Sequence, residues 1–106
     1  DEIERICAVE GLDMLQFGPC DYAMSLDKPG KRNDPEVKEA ERTMIKAALK
    51  AGIAPRVEMS FLETDLYKEY MDMGVKHFSI GFDVKIIYNW MKDNGYKLKE
   101  ELSKHF

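Results

Sequence analysis

The chain has 106 residues, 44% hydrophobic and 34% charged, the make-up of one globular unit and not of a disordered or fibrous chain. Its formal net charge is −4, and Lys and Glu alternate along helical stretches without forming a basic face, which argues against nucleic-acid binding. No apolar run approaches the roughly 18 residues of a membrane span, and no leader pattern opens the chain, so a cytoplasmic protein with no membrane partner is expected.

The chain begins without Met on "DEIERICAVE", where Ile3, Ile6 and Cys7 recur at helical spacing over residues 2–8. This reads as an element entered partway, so a piece of a longer domain is expected. Gly11 breaks that helix, and "LDMLQFG" follows as a run of strand length. Residues 16–30, "QFGPCDYAMSLDKPG", read as a loop rich in Pro, Gly and charge with the lone carboxylate Asp21 near its start. Asp34 as N-cap and Pro35 at the first helical position then open a helix with Val37, Ala40, Met44, Ala47, Ala48 and Ala51 on one stripe. Gly52 stops it.

"IAPRVEMS" is strand-like at Val57–Met59, and "FLETDLYKEYMDMG" places Leu62, Leu66, Tyr70 and Met73 on one helical face closed by Gly74. "VKHFSIG" reads as a third strand. "FDVKIIYNWMKDNG" reads as a helix with Val84, Ile87, Trp90 and Met91, capped by Asp83 and ended by Gly95, with "YKLKEELSKHF" as a short polar tail helix. Cys7 and Cys20 have no CxxC spacing and no His nearby, so two reduced thiols are expected.

The order αβαβαβα calls for parallel strands joined by right-handed crossovers, either a doubly wound open sheet or part of a (β/α) barrel. In both, chemistry gathers at the carboxyl ends of the strands, where Asp21, Ser60 and Gly81-Phe82-Asp83 fall. A sheet of three parallel strands leaves edges that are normally covered or continued, so strands preceding residue 1 are expected.

The stretch "GLDMLQFGPCDYAMSLDKPGKRNDPEVKEA" resembles the HpcH/HpaI aldolase family, whose corresponding segment reads G-V-D-G, a hydrophobic residue, F-I-G-P-A-D-L-S, a short loop and H-P-E-V before a long helix. Gly18-Pro19-x-Asp21, the loop length to Asp34, and Pro35-Glu36-Val37 all fall in register, and the likeness continues through "KAGIAPRV" and "MDMGVKHFSIGFD" into the last helix. The resemblance implies an α/β fold made of the C-terminal three β/α units of a (β/α)8 barrel. Residues 1–106 would run from the end of helix five through helix eight of a single aldolase domain whose N-terminal part lies outside the chain.

It further implies a class II aldolase that cleaves 2-keto-3-deoxy or 4-hydroxy-2-keto acids to pyruvate and an aldehyde with a divalent ion such as Mg²⁺ or Mn²⁺. Asp21 would be a metal ligand, together with a Glu from an upstream strand. The backbone amides of Cys20 and Asp21 would meet the pyruvate carboxylate. Oxygen ligands suit a hard cation, which stabilises the charge of the enolate formed when the C3–C4 bond breaks. Cys20 stands where the family usually has Ala, and a backbone contact tolerates the change. The family's Glu, Arg, Gln and His partners belong upstream, so no catalytic residue is assigned in this chain, which alone should be inactive. His77 is expected as a structural histidine on a strand and His105 as a solvated one. The family's assemblies imply a homo-oligomer, typically a hexamer built from dimers, with the last helix at a subunit interface; packing within the chain is the alternative for Ile86, Ile87, Tyr88 and Trp90.

Glu58 aligns where the family has an apolar residue of the aldehyde pocket. Alternation along the strand puts Arg56 on its face, so a structural Arg56–Glu58 pair is the first expectation and a role for Glu58 in a polar aldehyde pocket the second. Lys28, Lys31 and Arg32 form either a solvated charge cluster or an attractor of anionic substrate. The competing function is a non-catalytic, doubly wound α/β module that binds a phosphate ligand or protein partner at its strand ends, with Asp21 a turn former.

Overall fold

In the computed structural model, which describes residues 2–60 and 63–106, the elements follow as α1 (Glu2–Cys7), β1 (Met14–Gln16), α2 (Pro19–Ser25), α3 (Pro35–Lys50), β2 (Ala54–Glu58), α4 (Thr64–Met73), β3 (His77–Ser79) and α5 (Asp83–Ser103). The strands form one parallel sheet in the order β1-β2-β3, with Met14 opposite Ala54 and Arg56 opposite His77. Parallel neighbours need long connections, and α3 and α4 supply the two crossovers.

The ends of α3 are written into its sequence. Asp34 accepts the Glu36 amide on Oδ1 at 3.0 Å, and Pro35 takes the first helical position, where its missing N–H costs nothing. One face of α3 meets the sheet through Met44, Ile45 and Ala48, which join Ile53, Val57, Met59, Tyr70 and Val75 in a single core. In β2 the alternation buries Pro55 and Val57 and exposes Arg56. Gly74 ends α4 at φ 106°, a left-handed torsion that favours a residue without Cβ.

The buried stripe of α3 is wider than its apolar pattern. Glu41 and Ile45 are fully buried, whereas Ala51 is exposed. Glu41 is tolerated because Oε2 accepts from the Tyr70 hydroxyl at 2.6 Å and from Lys38 Nζ at 3.0 Å; its Oε1 has no partner. Burial, reinforced by the bond to Glu41, holds the Tyr70 phenol well above its ordinary pKa.

Several sequence expectations are corrected. Residues 19–25 of the expected loop form helix α2, because Pro19 sits at the first helical position and the amides of Leu26 and Lys28 close the end onto Ala23 O. Gly95 does not stop the last helix: α5 runs unbroken through it to Ser103, carried by the strong helix formers Lys97, Leu98, Lys99, Glu100 and Glu101. Asp83 is the first residue of α5 and not its cap, which is Phe82; its Oδ1 accepts the Val84 amide at 2.7 Å. Leu62, assigned to the α4 face, lies outside the described residues.

The alternative expectation, that α5 packs within the chain, finds no support among the described residues. No residue of α5 is buried, Trp90 is 63% exposed, and the 18.5 Å radius of gyration exceeds the ~13 Å of a compact domain this size. Ile86, Ile87 and Tyr88 are likewise exposed.

Candidate active site

The carboxyl ends of β1, β2 and β3 lie side by side, as parallel pairing requires, and each feeds a loop on the same edge of the sheet. After β1 the chain turns at Gly18 into α2. The Tyr22 amide donates to Gly18 O at 2.9 Å, so the amides of Cys20 and Asp21 precede the first intrahelical bond and have no acceptor in the helix. Phe17 and Tyr22, with ring centroids 5.2 Å apart, brace this turn from either side.

Asp21 is exposed, and its carboxylate folds back over Gly18. A Cβ added to Gly18 would lie 2.8 Å from Asp21 Oδ2, so the absent side chain is the space the carboxylate occupies. The Asp21 carboxylate makes no hydrogen bond or ion pair among the described residues. It is a free, hard oxygen donor of the kind Mg²⁺ or Mn²⁺ takes. One carboxylate does not complete a site, and no cluster of three or more His, Cys, Asp or Glu able to hold a metal occurs among the described residues.

Glu58 is the last residue of β2, and its partner is not Arg56. Arg32, reaching in from the loop between α2 and α3, donates from Nη1 to Glu58 Oε1 at 3.2 Å and from Nη2 to the Glu58 carbonyl at 3.1 Å. Side-chain exposure is 27% for Arg32 and 15% for Glu58, so the expected Arg56–Glu58 pair is replaced by a half-buried clamp between loop and strand. Arg56 instead points to solvent, since the sheet alternation places it opposite exposed His77. The basic loop is not a free charge cluster either: Lys28 Nζ bridges Asp34 at 3.2 Å and Glu36 at 2.8 Å. Those bonds, to Glu36 first, hold the Lys28 ammonium above its usual pKa. The Glu36 amide and then Lys28 hold Asp34 below the usual carboxylate range.

A cleft of about 270 Å³ opens at these strand ends, with Cys20, Arg32, Glu58, Ser60 and, from the first two turns of α5, Lys85 and Asn89 on its walls. It brings together two of the sequence-assigned residues, Cys20 and Glu58; Asp21 adjoins Cys20 in the chain but does not line it. His77 begins β3 as an exposed residue, and His105 lies in the tail 3.9 Å from Glu101, both away from the cleft. Cys7 and Cys20 are free thiols. What sequence reading missed is the pairing of Arg32 with Glu58. That pairing spans 26 positions, and no local pattern announces it.

Comparison with known proteins agrees with this geometry. Residues 1–89 match the HpcH/HpaI aldolase/citrate lyase family. The chain is 32% identical over 103 residues to the hydroxypyruvate/pyruvate aldolase of Cupriavidus necator, covering 95% of this chain and 37% of that protein. It is 31% identical over 86 residues to the 5-keto-4-deoxy-D-glucarate aldolase of Klebsiella pneumoniae, covering 81% and 33%. The crystal structure of an HpcH/HpaI aldolase/citrate lyase family protein from Burkholderia cenocepacia superposes with a TM-score of 0.79 at 28% identity, over 93% of this chain and 38% of that one. The chain thus spans about a third to two fifths of the length of these relatives. Its parallel β/α units are part of the barrel seen in the structural relatives. By its matched residues and by its fold, the chain belongs to the HpcH/HpaI aldolase/citrate lyase family.

Proposed function

We propose that this chain is the C-terminal part, from the end of helix five through helix eight, of a class II aldolase that cleaves a 4-hydroxy-2-keto or 2-keto-3-deoxy acid to pyruvate and an aldehyde. The observation that carries the reading is Asp21, a carboxylate without a partner at the carboxyl end of a barrel strand in a chain of an aldolase family. Asp21 serves as one ligand of a divalent ion, Mg²⁺ or Mn²⁺, the remaining ligands coming from the N-terminal part of the barrel. When bound, that ion supplies charge stabilisation for the enolate of pyruvate.

The residues of this chain bind and orient. The amides of Cys20 and Asp21, lacking acceptors in α2, donate to the pyruvate carboxylate. Glu58, on the cleft wall, lines the aldehyde side. In the cleavage the C4 hydroxyl gives up its proton to a base outside this chain, the C3–C4 bond breaks, and its electron pair passes into the enolate, which is then protonated to pyruvate. No catalytic residue for either proton transfer is assigned here, so the chain alone is inactive.

An apolar groove of about 880 Å³ beside β1, walled by Ile3, Leu15, Phe17 and Met44, supports the view that the rest of the barrel covers this edge. The exposed apolar side chains of α5 support a homo-oligomer, a hexamer built from dimers, with this helix at a subunit interface. No helix among the described residues is long and apolar enough to cross a membrane, in keeping with a cytoplasmic enzyme. The test is Asp21→Ala in the full-length protein. Pyruvate release from a 4-hydroxy-2-keto acid in the presence of Mg²⁺ or Mn²⁺ should be abolished and calorimetric Mn²⁺ binding weakened, with circular dichroism unchanged. Retained activity refutes the ligand role.

A further inference from the structure

The helices of the core all pack on one face of the sheet. Ile3 of α1, Met44 and Ile45 of α3 and Tyr70 of α4 join Leu15, Val57 and Phe78, whose side chains alternate to that face. The opposite face carries a row in which Gln16 stands in register with Arg56 and Arg56 with His77. All three residues are exposed, and their side chains make no hydrogen bond or ion pair among the described residues. Parallel sheets are normally covered on both faces, and in a barrel the face away from the helices is the packed interior. Arg56 is costly in such a place, because a buried guanidinium needs a counter-charge. Its own sheet does not supply one. Glu58, the carboxylate two positions on along the same face, is engaged by Arg32 at 3.2 Å, and the cross-strand neighbours Gln16 and His77 are not anions.

We propose that this open face receives the upstream strands of the same barrel and that one of those strands sets an Asp or Glu against Arg56, closing an ionic layer inside the barrel. The inference rests on the reading of the chain as the C-terminal part of a barrel and adds the chemistry of the surface that completes it. The occupant follows from continuity: Gln16 also walls the apolar groove beside β1, so the polar row runs into the edge from which the barrel continues. The length also suffices, since the matched segment is 37% of the Cupriavidus necator aldolase. Gln16 occupies the position of Phe in the family's segment, so the layer is polar here where that segment is apolar. Glu58 lines the cleft at the carboxyl ends and lies one step above Arg56 on the same face, so the layer forms the floor beneath the candidate active site. Arg56 is there an anchor between the two parts of the barrel and touches no substrate.

The test uses the full-length protein. Diethyl pyrocarbonate, read by peptide mass spectrometry, should modify His77 roughly tenfold or more slowly in the native than in the urea-unfolded protein, because the upstream strands cover the row. Native labelling within about twofold of the unfolded rate overturns the docking. Arg56→Met keeps the stem and removes the charge. In a His77→Gln background, which takes the other titratable group of the row out of the pH response, it should lower the thermal midpoint by roughly 6 °C or more at pH ~8. Glu58 and Arg32 are common to both proteins and cancel. The deficit should shrink toward pH ~5, where the stranded carboxylate takes up a proton. A deficit that is absent, or equal at the two pH values, overturns the ion pair. Should Arg56→Met fail to fold, Arg56→Lys gives the same reading: its smaller deficit should also shrink toward pH ~5, and one equal at both pH values overturns the pair. Pyruvate release by the same wild-type preparation reports on the aldolase assignment separately. No release overturns that assignment, whereas an active enzyme that fails the labelling or the midpoint criterion overturns only the inference.

Discussion

The Gly18→Ala substitution probes how closely Asp21 depends on the turn before it. Ala suits the backbone, since Gly18 has φ −98° and ψ 87°, so the perturbation is the added methyl group alone. That carbon would stand 2.8 Å from Asp21 Oδ2, where ordinary contact begins at 3.4 Å, so the carboxylate must retreat by about 0.6 Å or rotate away. The stability cost is small, under about 1 kcal/mol, because Asp21 is exposed and its side chain free to turn. The functional cost is larger. A metal ligand tolerates only about 0.2 Å of displacement, and a catalytic constellation about 0.5 Å. We expect Mn²⁺ affinity and kcat/KM for pyruvate release to fall roughly ten- to hundredfold, the range seen when a ligand loses its orientation. Calorimetric metal titration and steady-state kinetics on the full-length protein read the two effects, and a urea melt reads the stability. Wild-type metal affinity in a variant folded as well as the parent would refute the dependence of the ligand position on Gly18.

Removing the Tyr70 hydroxyl as Tyr70→Phe should destabilise the protein by about 1.5–3 kcal/mol, the worth of a buried bond to a charged group, with Glu41 left to Lys38 alone. Because the folded Tyr70 pKa is raised, its stabilisation is complete below the ordinary phenol value near pH ~10 and is lost as pH rises toward the folded value. Urea midpoints should therefore fall more steeply in alkali for the wild type than for the variant, which keeps only losses such as that of the Lys28 bridge; identical alkaline limbs would sink the argument. Asp34→Ala should lower the midpoint at neutral pH by removing the cap of α3. With its folded pKa depressed, Asp34 contributes fully above the ordinary carboxyl value near pH ~4 and loses that contribution as pH falls through its folded value. The acid limb of the variant should be correspondingly flatter in the same titration.

The element order and the parallel sheet were legible because α1, α3 and α4 carry local stops or starts: Gly11, Asp34-Pro35, Gly52 and Gly74 are read one turn at a time. Helix α2 escaped notice because seven residues are too few to show a period, and Gly95 misled because a helix with strong formers on both sides absorbs one glycine. Of the residues that the strand-end rule named, Ser60, Gly81 and Phe82 line the cleft and Asp21 does not, whereas Cys20 and Glu58 were singled out by the family resemblance. Glu58's true partner was not.

The sequence by itself determined the repeated βα pattern, the cap of α3 and the family, since these rest on contacts between residues a few positions apart or on motif spacing. Only the tertiary structure decided that Glu58 binds Arg32, that Glu41 is buried with Lys38 and Tyr70, and that α5 lies open. Those outcomes depend on which surfaces the crossovers bring together, and polar groups 26 or 29 positions apart meet only after the sheet has formed.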